Sequence, residues 1–504
     1  MNLKGRRRVT GRKNLGTGEA VAVLMVGFGP HAQRIHFPAI QKNGAEFNAY
    51  VAAIVELQSK EEDVRSYIAG LSLAVEPELL FLPDSQAGSE LSQAFRSKLD
   101  LYVQTLGISA VIIATEPLAH IPYARWALKK GLHVLMDKPI STKKNASCDI
   151  AAAREIAKDY DDLLALLKRS RLQNPSLVFD LVAQRRFHPA FLLLQSLVTE
   201  VAERTGMPIS SVSSVHSDGQ WRMPDEIIDI DYHSYNQGYG KCSHSGYHSL
   251  DILSWLIETT TPDSKRPDAI DVFSNFMRPQ SFYKQLTRND YQKIFPDYSS
   301  VSVRSDRKLQ TKFTGMGEID ALLSLTFKKK GVPMTLASIS LLHNGTSQRG
   351  WVNSKDRDLY KGNGRIRHES HYIVQGPFQA ISFVSYQSKE YGQSRNDIYG
   401  MGGEHHLDVH VFRNDSLFPD WEARRTYTFK DISAVESGGA SQGHQEDARR
   451  LCIKNFFEQV HTGNLNSNSS LEDHRTSAHL LSAVYESACK RLGTENPLVT
   501  LQTV

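Results

Sequence analysis

Residues 242–256 read CSHSGYHSLDILSWL. At 3.6 residues per helical turn, His244, His248, Asp251 and Trp255 fall on one face, and Leu250, Leu253 and Leu256 fall on the other. Two imidazoles and a carboxylate opposite a leucine face suit proton transfer. His248 would exchange a proton with a substrate hydroxyl while a neighbour orients its ring. His-x-x-x-His with Asp251 as a third donor is also a metal-ligand spacing. In EHHLDVH (404–410), His406, Asp408 and His410 would share one face of a strand. No resident metal is expected at either place, because structural zinc recruits more ligands or cysteines. For 406–410 a polar outer sheet face is the simpler expectation.

Lys138 stands in HVLMDKPI (133–140), at the end of a short apolar run. A lysine at the carboxyl end of a parallel strand sits where such sheets bind ligands. Its ammonium can polarise a carbonyl or stabilise a developing alkoxide. In QRRFHPAF (184–191), Arg185 and Arg186 precede a helix that starts at Pro189. A guanidinium there could bind substrate or cofactor oxygens, or form an internal ion pair.

The third constellation is VAVLMVGFGPHAQRIH (21–36), in which an apolar run breaks into Gly27, Phe28, Gly29, Pro30, His31 and Ala32. This is the G-x-G-x-x-G/A pattern between a strand and a helix. The first glycine turns the chain, the second lets backbone approach a pyrophosphate, and the third small residue lets helix and strand pack closely. A second apolar run, Tyr50–Val55, ends in Glu56. An acid there accepts hydrogen bonds from a ribose 2′-hydroxyl and repels a 2′-phosphate, so NAD is expected. Lys60 softens that preference and leaves NADP open.

These side chains need elements to hold them. Residues 20–26 are β-branched and apolar without alternation, as in a strand covered on both faces. AVIIATEPLAH (110–120) is another such strand ending in a polar turn. The helix IPYARWALKK follows and stops at Gly131, and the strand of HVLM comes next. Strand, helix and strand at this spacing make a right-handed crossover of a parallel sheet. Residues 20–183 are therefore expected to form a doubly wound α/β Rossmann domain. From 184 to 504 strands recur at 209–216, 270–277, 319–328, 333–342, 371–386 and 407–413, mostly without crossover helices. They predict an α+β domain with a mostly antiparallel sheet. Helices over 445–461 and 474–491 end near Gly463 and Gly493.

Bulk properties exclude other classes. Six Lys and Arg residues lie within the first thirteen positions and the net charge is +4, so the remainder is close to neutral and offers no footprint for nucleic acid. Residues 1–19 read as a disordered basic tail. The apolar run 21–26 is too short for an export signal, and no stretch approaches the length of a membrane span. Cys148, Cys242, Cys452 and Cys489 are far apart and fit reduced thiols in a cytoplasmic protein.

The glycine loop, ATEPLAH, GLHVLMDKP, QRRFHPAF, SGYHSLDILSWL and AVYESA (483–488) occur in an order that resembles the Gfo/Idh/MocA oxidoreductases, which include sugar and inositol dehydrogenases. The resemblance implies an NAD(P)-dependent dehydrogenase of a sugar, polyol or sugar derivative. Cofactor contacts would come from Gly27, Phe28, Gly29, Ala32, Glu56, Thr115, Glu116, Pro117, His120, Asp137 and Lys138. Lys138 would hold the substrate oxygen, His248 would move the proton, and Asp251 and His244 would tune or relay, with Arg186 also at the substrate. Two departures stand out: Asp137 replaces the family glutamate, and His244 replaces the family aspartate four residues before His248. Segments near 258–320 and 345–425 resemble insertions. The open sheet face implies a homodimer or homotetramer. The same fold also hosts NAD-dependent glycosidases without net redox and non-catalytic nucleotide-binding regulators. The latter would need neither Lys138 nor His248.

Overall fold

The computed structural model describes residues 19–88, 90–230, 232–353, 364–388, 397–433 and 444–503. The expected basic tail lies, Glu19 apart, outside the described residues. The chain divides into two compact units. One comprises 1–137, 166–182 and 452–467, and the other 138–165, 183–451 and 468–504. The single boundary expected at 183/184 does not capture this interleaving.

The first unit holds six parallel strands: β1 (Val21–Val26), β2 (Ala49–Leu57), β3 (Glu78–Leu82), β4 (Ile108–Ile113), β5 (His133–Met136) and β6 (Phe179–Leu181). They run in the order β3-β2-β1-β4-β5-β6. All six residues of β1 are buried, the cost-free arrangement for an apolar strand covered on both faces. The strand order reverses between β1 and β4, which makes the carboxyl end of β1 the natural ligand crevice. Residues 452–467 return to this unit from far along the chain. Phe457 stacks on Phe47, Lys454 pairs with Glu46 at 3.0 Å, and Gln459 Nε2 donates to Asp180 Oδ2 at 2.7 Å.

The second unit is built on nine strands: β7 (Ser211–Ser217), β8 (Ala269–Met277), β9 (Asp320–Lys329), β10 (Val332–Leu342), β11 (Ile366–Gln375), β12 (Gln379–Ser388), β13 (Asp408–Arg413), β14 (Arg424–Thr428) and β15 (Val499–Gln502). Their order is β14-β13-β12-β11-β7-β10-β9-β8-β15, antiparallel except for the β7–β10 pair. Inward residues such as Leu323, Ile339, Ile373 and Val409 are buried, and outward ones alternate with them. The single strand expected over 371–386 is two strands of a hairpin. Gly376, at φ +51°, and Pro377 reverse the chain between β11 and β12.

The segments expected as insertions differ in kind. The 345–425 region contributes β11, β12 and β13 to the sheet itself. The 258–320 region contains β8 and then four short helices between Pro279 and Phe313. Phe282, Tyr283, Tyr291, Phe295, Tyr298 and Leu309 of these helices close an apolar cluster with Met223 and Ile227. No helix among the described residues is long and apolar enough to cross a membrane.

Candidate active site

In the first unit, the turn after β1 is fixed by backbone crowding. Gly27 has φ +86°, and a Cβ there would lie 2.6 Å from the Ala114 carbonyl oxygen. A Cβ at Gly29 would meet nothing within 4 Å, so the loop presents bare backbone to open space. The Phe28 side chain turns away from that space, packing edge-on against Phe37 and Tyr67, so only its backbone is offered to a ligand. Phe28 N donates to Glu56 Oε2 at 2.5 Å and Leu57 N to Oε1 at 2.8 Å. The half-buried Glu56 thus stands at the glycine loop with both oxygens held. Open backbone at Gly29 beside a fixed carboxylate fits a dinucleotide, with pyrophosphate at the loop and ribose at Glu56.

The turn after β4 carries Thr115, half-buried, Glu116, exposed, and Pro117. His120 is different. Its ring is fully buried and its Nε2 lies 3.1 Å from the Thr115 carbonyl oxygen. It braces the turn and does not reach outward to a cofactor. Asp137 ends this unit's strand run. Nε2 of His31 and Nε2 of His36 each lie 3.6 Å from its Oδ2. His31 and His36 meet because Ala32–His36 is a wide π turn, which puts residues five apart on one face. An ordinary α-helix would set them about 140° apart, so helical periodicity does not reveal the pair. This trio is the one grouping of three metal-ligating side chains among the described residues.

In the second unit, 242–246 form another π turn that runs into the α-helix Tyr247–Thr260. The expected contrast between a polar stripe and a leucine face is absent. The first eleven residues of that helix, Tyr247–Ile257, are all buried, so its polar groups need internal partners. Lys138 Nζ donates to the His244 carbonyl oxygen at 3.0 Å. His248 Nε2 lies 3.3 Å from Gln184 Nε2, and His248 Nδ1 has no hydrogen-bond partner. Burial pushes the His248 pKa well below the ordinary histidine value, and Lys138 and Arg185 push it further. The ring is therefore neutral and able to accept a proton. His244 is depressed in the same way by burial, then by His233 and Lys138. Its ring stacks on His233 at 4.7 Å, and its Nε2 is unpartnered.

Asp251 and Arg186 do not stand where the sequence expected them. Arg186 Nη2 donates to Asp251 Oδ1 at 2.6 Å and Nε to Oδ2 at 3.1 Å. His474 Nδ1 and Ser477 Oγ also reach Asp251 Oδ1, at 2.9 and 2.8 Å. Arg186 further donates to the carbonyl oxygens of Asn468 and Asp473. Both side chains are buried and occupied, so neither a relay at Asp251 nor a substrate contact at Arg186 is available. The same pairing removes Asp251 as a metal ligand. Arg185 forms a parallel pair with Glu369, both bonds 2.8 Å.

His406 also departs from an outer face. It is buried, and its Nδ1 accepts from Tyr386 N at 2.8 Å, while Asp408 and His410 lie on the outward side of β13.

A cluster around Lys241 has no motif that marks it in the sequence. This buried ammonium donates to Asp218 Oδ2 at 2.5 Å and to Ser245 Oγ at 2.8 Å, and lies 3.0 Å from His216 Nδ1. Beside His216, a small cavity is lined by Arg367, Glu369, Ser385 and Gln387.

Among curated proteins none matches the sequence. Among solved structures, an oxidoreductase domain protein from Kribbella flavida superposes with TM-score 0.58 at 14% identity, over 97% of this chain and 100% of its own. Levoglucosan dehydrogenase in complex with NADH and levoglucosan gives 0.55 at 14%, over 96% and 100%. An oxidoreductase from Agrobacterium radiobacter, solved with NAD+, L-tartaric acid and magnesium, gives 0.54 at 13%, over 96% and 98%. At these identities the likeness is one of fold. In sequence, residues 21–163 match the oxidoreductase family with an NAD-binding Rossmann fold. The glycine turn and the strand order agree with that match: residues 21–163 carry a Rossmann fold similar to the NAD-binding domain of the Gfo/Idh/MocA oxidoreductases.

Proposed function

We propose that the chain is a dehydrogenase or reductase acting at a hydroxyl or keto carbon of a sugar, polyol or sugar derivative. The observation that carries this reading is the pairing of Lys138 with the His244–His248 turn. An ammonium is tied to the backbone four residues before a buried, neutral imidazole whose Nδ1 is unpartnered. Bound NAD supplies the hydride acceptor or donor. Lys138 holds the substrate oxygen and stabilises negative charge developing on it. His248 Nδ1 takes the hydroxyl proton in oxidation and returns it in reduction, with Gln184 orienting the ring. Phe28 N and Leu57 N fix Glu56, which receives the ribose hydroxyls and disfavours a 2′-phosphate.

A cytoplasmic setting agrees with four cysteines that are all free. A homodimer or homotetramer agrees with the outward face of the large sheet, where Leu322, Leu336, Tyr372 and Phe412 are exposed. The sugar that the levoglucosan enzyme binds supports the choice of substrate class.

The test is a titration with NADH and NADPH that follows energy transfer from tryptophan to bound nicotinamide, and then a panel of sugars and polyols with NAD. Saturable binding with NADH preferred, and turnover of a panel member, is the expected result. Binding without net redox on any substrate, together with cleavage of a glycoside, would replace this reading with the glycosidase one.

A further inference from the structure

We propose that Arg222 forms an anion-binding subsite in the second unit, which makes the substrate a sugar acid or a sugar phosphate. The inference rests on the dehydrogenase reading and names its substrate class.

Arg222 is 2% exposed, and its Nε and Nη1 have no hydrogen-bond partner. Among the described residues its bonds run from Nη2 alone, to two neutral oxygens, Gln220 Oε1 at 2.9 Å and Tyr232 OH at 3.2 Å. A buried guanidinium without a carboxylate is costly, because lost hydration is not replaced by an opposite charge. The acids of the surrounding segment are already engaged. Asp218 is held by Lys241 and Arg365, Glu226 by Arg349, and Asp225 and Asp229 by Arg304. Two more buried acids of this region, Glu318 and Asp320, accept from neutral donors (Cys242 N and Tyr485 OH, and His343 N and Asn344 N), and among the described residues no carboxylate bonds to Arg222.

The neighbours are also donors. His343 accepts or donates at Nδ1 with Tyr235 OH, at 2.8 Å, and its Nε2 is unpartnered. The Tyr235 ring packs against both His343 and His244, whose Nε2 is unpartnered too. The guanidinium stands 5.5 Å from the Tyr232 ring, and Tyr232 adjoins His233, which is exposed and stacked on His244. Arg222 is thus connected through Tyr232 and His233 to the imidazole turn that carries His248, and His233 opens that route to solvent.

The position is built. Trp221 packs on Phe295 and Tyr291, and Met223 is buried in the same cluster, so the helical insert over 279–313 grips both neighbours of Arg222. Arg349 Nη1 donates to the Trp221 carbonyl oxygen at 2.8 Å, which fixes the backbone. The two unpartnered nitrogens, Nε and Nη1, lie on different edges of the guanidinium, so a carboxylate or phosphate oxygen takes a single N–H bond from either of them and supplies the missing charge.

The test uses the full chain with NADH saturating, so that the cofactor's own phosphates are already seated. D-glucuronate, glucose 6-phosphate and glucose are titrated by calorimetry into wild type, R222Q and R222K. One of the two anions is expected to bind roughly 10- to 100-fold tighter than glucose. Which one it is distinguishes carboxylate from phosphate. R222Q should erase that margin, and R222K should keep part of it. R222M, without nucleotide, should melt no lower than wild type, because it removes an uncompensated buried charge; an arginine that merely holds the fold would lower the melting temperature. Equal binding of glucose and the anions, binding of none of the three, a margin untouched in R222Q, or a marked fall in R222M melting would each overturn the subsite. Failure of NADH to bind would overturn the dehydrogenase reading alone, and the same titrations without nucleotide would still decide the subsite.

Discussion

Arg186 grips Asp251 through two parallel bonds, Nη2 to Oδ1 at 2.6 Å and Nε to Oδ2 at 3.1 Å, with neither side chain reaching solvent. His474 and Ser477 close the remaining positions on the carboxylate. Removing one partner leaves a buried charge with nothing to balance it, at a cost of about 3–5 kcal/mol. Asp251→Asn should therefore unfold at much lower urea than wild type. A variant with wild-type stability and lost turnover would return Asp251 to the catalytic machinery.

His248 and Lys138 should behave in the opposite way. His248→Ala is expected to lose roughly 10²- to 10⁴-fold in kcat, and Lys138→Met roughly 10²- to 10³-fold. Both should bind NADH as wild type does. Stopped-flow measurement of hydride transfer reads this directly, and unchanged turnover in either variant would remove that residue from the reaction.

Glu56 accepts two backbone N–H groups, one on each oxygen, so Glu56→Gln removes the charge together with one of the two acceptors. NADH binding should weaken roughly tenfold while NADPH binding improves, since a charged acceptor bond is worth about 1.5–3 kcal/mol. Equal affinities for both nucleotides in wild type and variant would contradict Glu56 as the ribose ligand.

Burial lowers the pKa of several inward histidines: His188 to about 3, and His216, His244, His248 and His343 well below the usual value. The unfolded chain takes up protons near pH 6.5 that the folded chain refuses. Stability is therefore complete above about pH 6.5 and falls as pH drops below it, by about 1.4 kcal/mol per pH unit for each ring. Asp251, held well below the ordinary carboxylate range by Arg186 and His474, loses its contribution only in stronger acid, below the unfolded carboxyl value. A melting temperature that stays level from pH 7.5 to pH 5 would rule this out.

The outward row of Leu322, Leu336, Tyr372 and Phe412 predicts self-association. Leu336→Lys should shift light-scattering mass toward the monomer with the far-UV spectrum unchanged. A wild-type chain already monomeric at micromolar concentration would refute it.

What could be read from the sequence follows the range of the interactions. The glycine turn, β1 and Glu56 are legible because strand, turn and helix are consecutive. The nine-stranded sheet is legible from alternation, though the Gly376–Pro377 reversal splits one expected strand into β11 and β12. Asp251 misled because its partners, Arg186, His474 and Ser477, lie 65 or more residues away, where helical phase says nothing. His31 and His36 were hidden by a π turn that shifts which residues share a face. Arg222 was invisible because what marks it is the lack of a carboxylate at its own nitrogens, which only the folded arrangement reveals.

The segment from Cys452 to Ser467, which lies against Phe47, Glu46 and Asp180, has a consequence for how the chain is made. During synthesis the six-stranded sheet emerges first but lacks this cover until the ribosome has passed Ser467. The nucleotide-binding half therefore cannot finish folding ahead of the rest, as an amino-terminal domain ordinarily does. A stop codon or frameshift before Cys452 would leave apolar surface of the six-stranded unit uncovered, so a stretch translated long after the sheet acts as a completeness check on it.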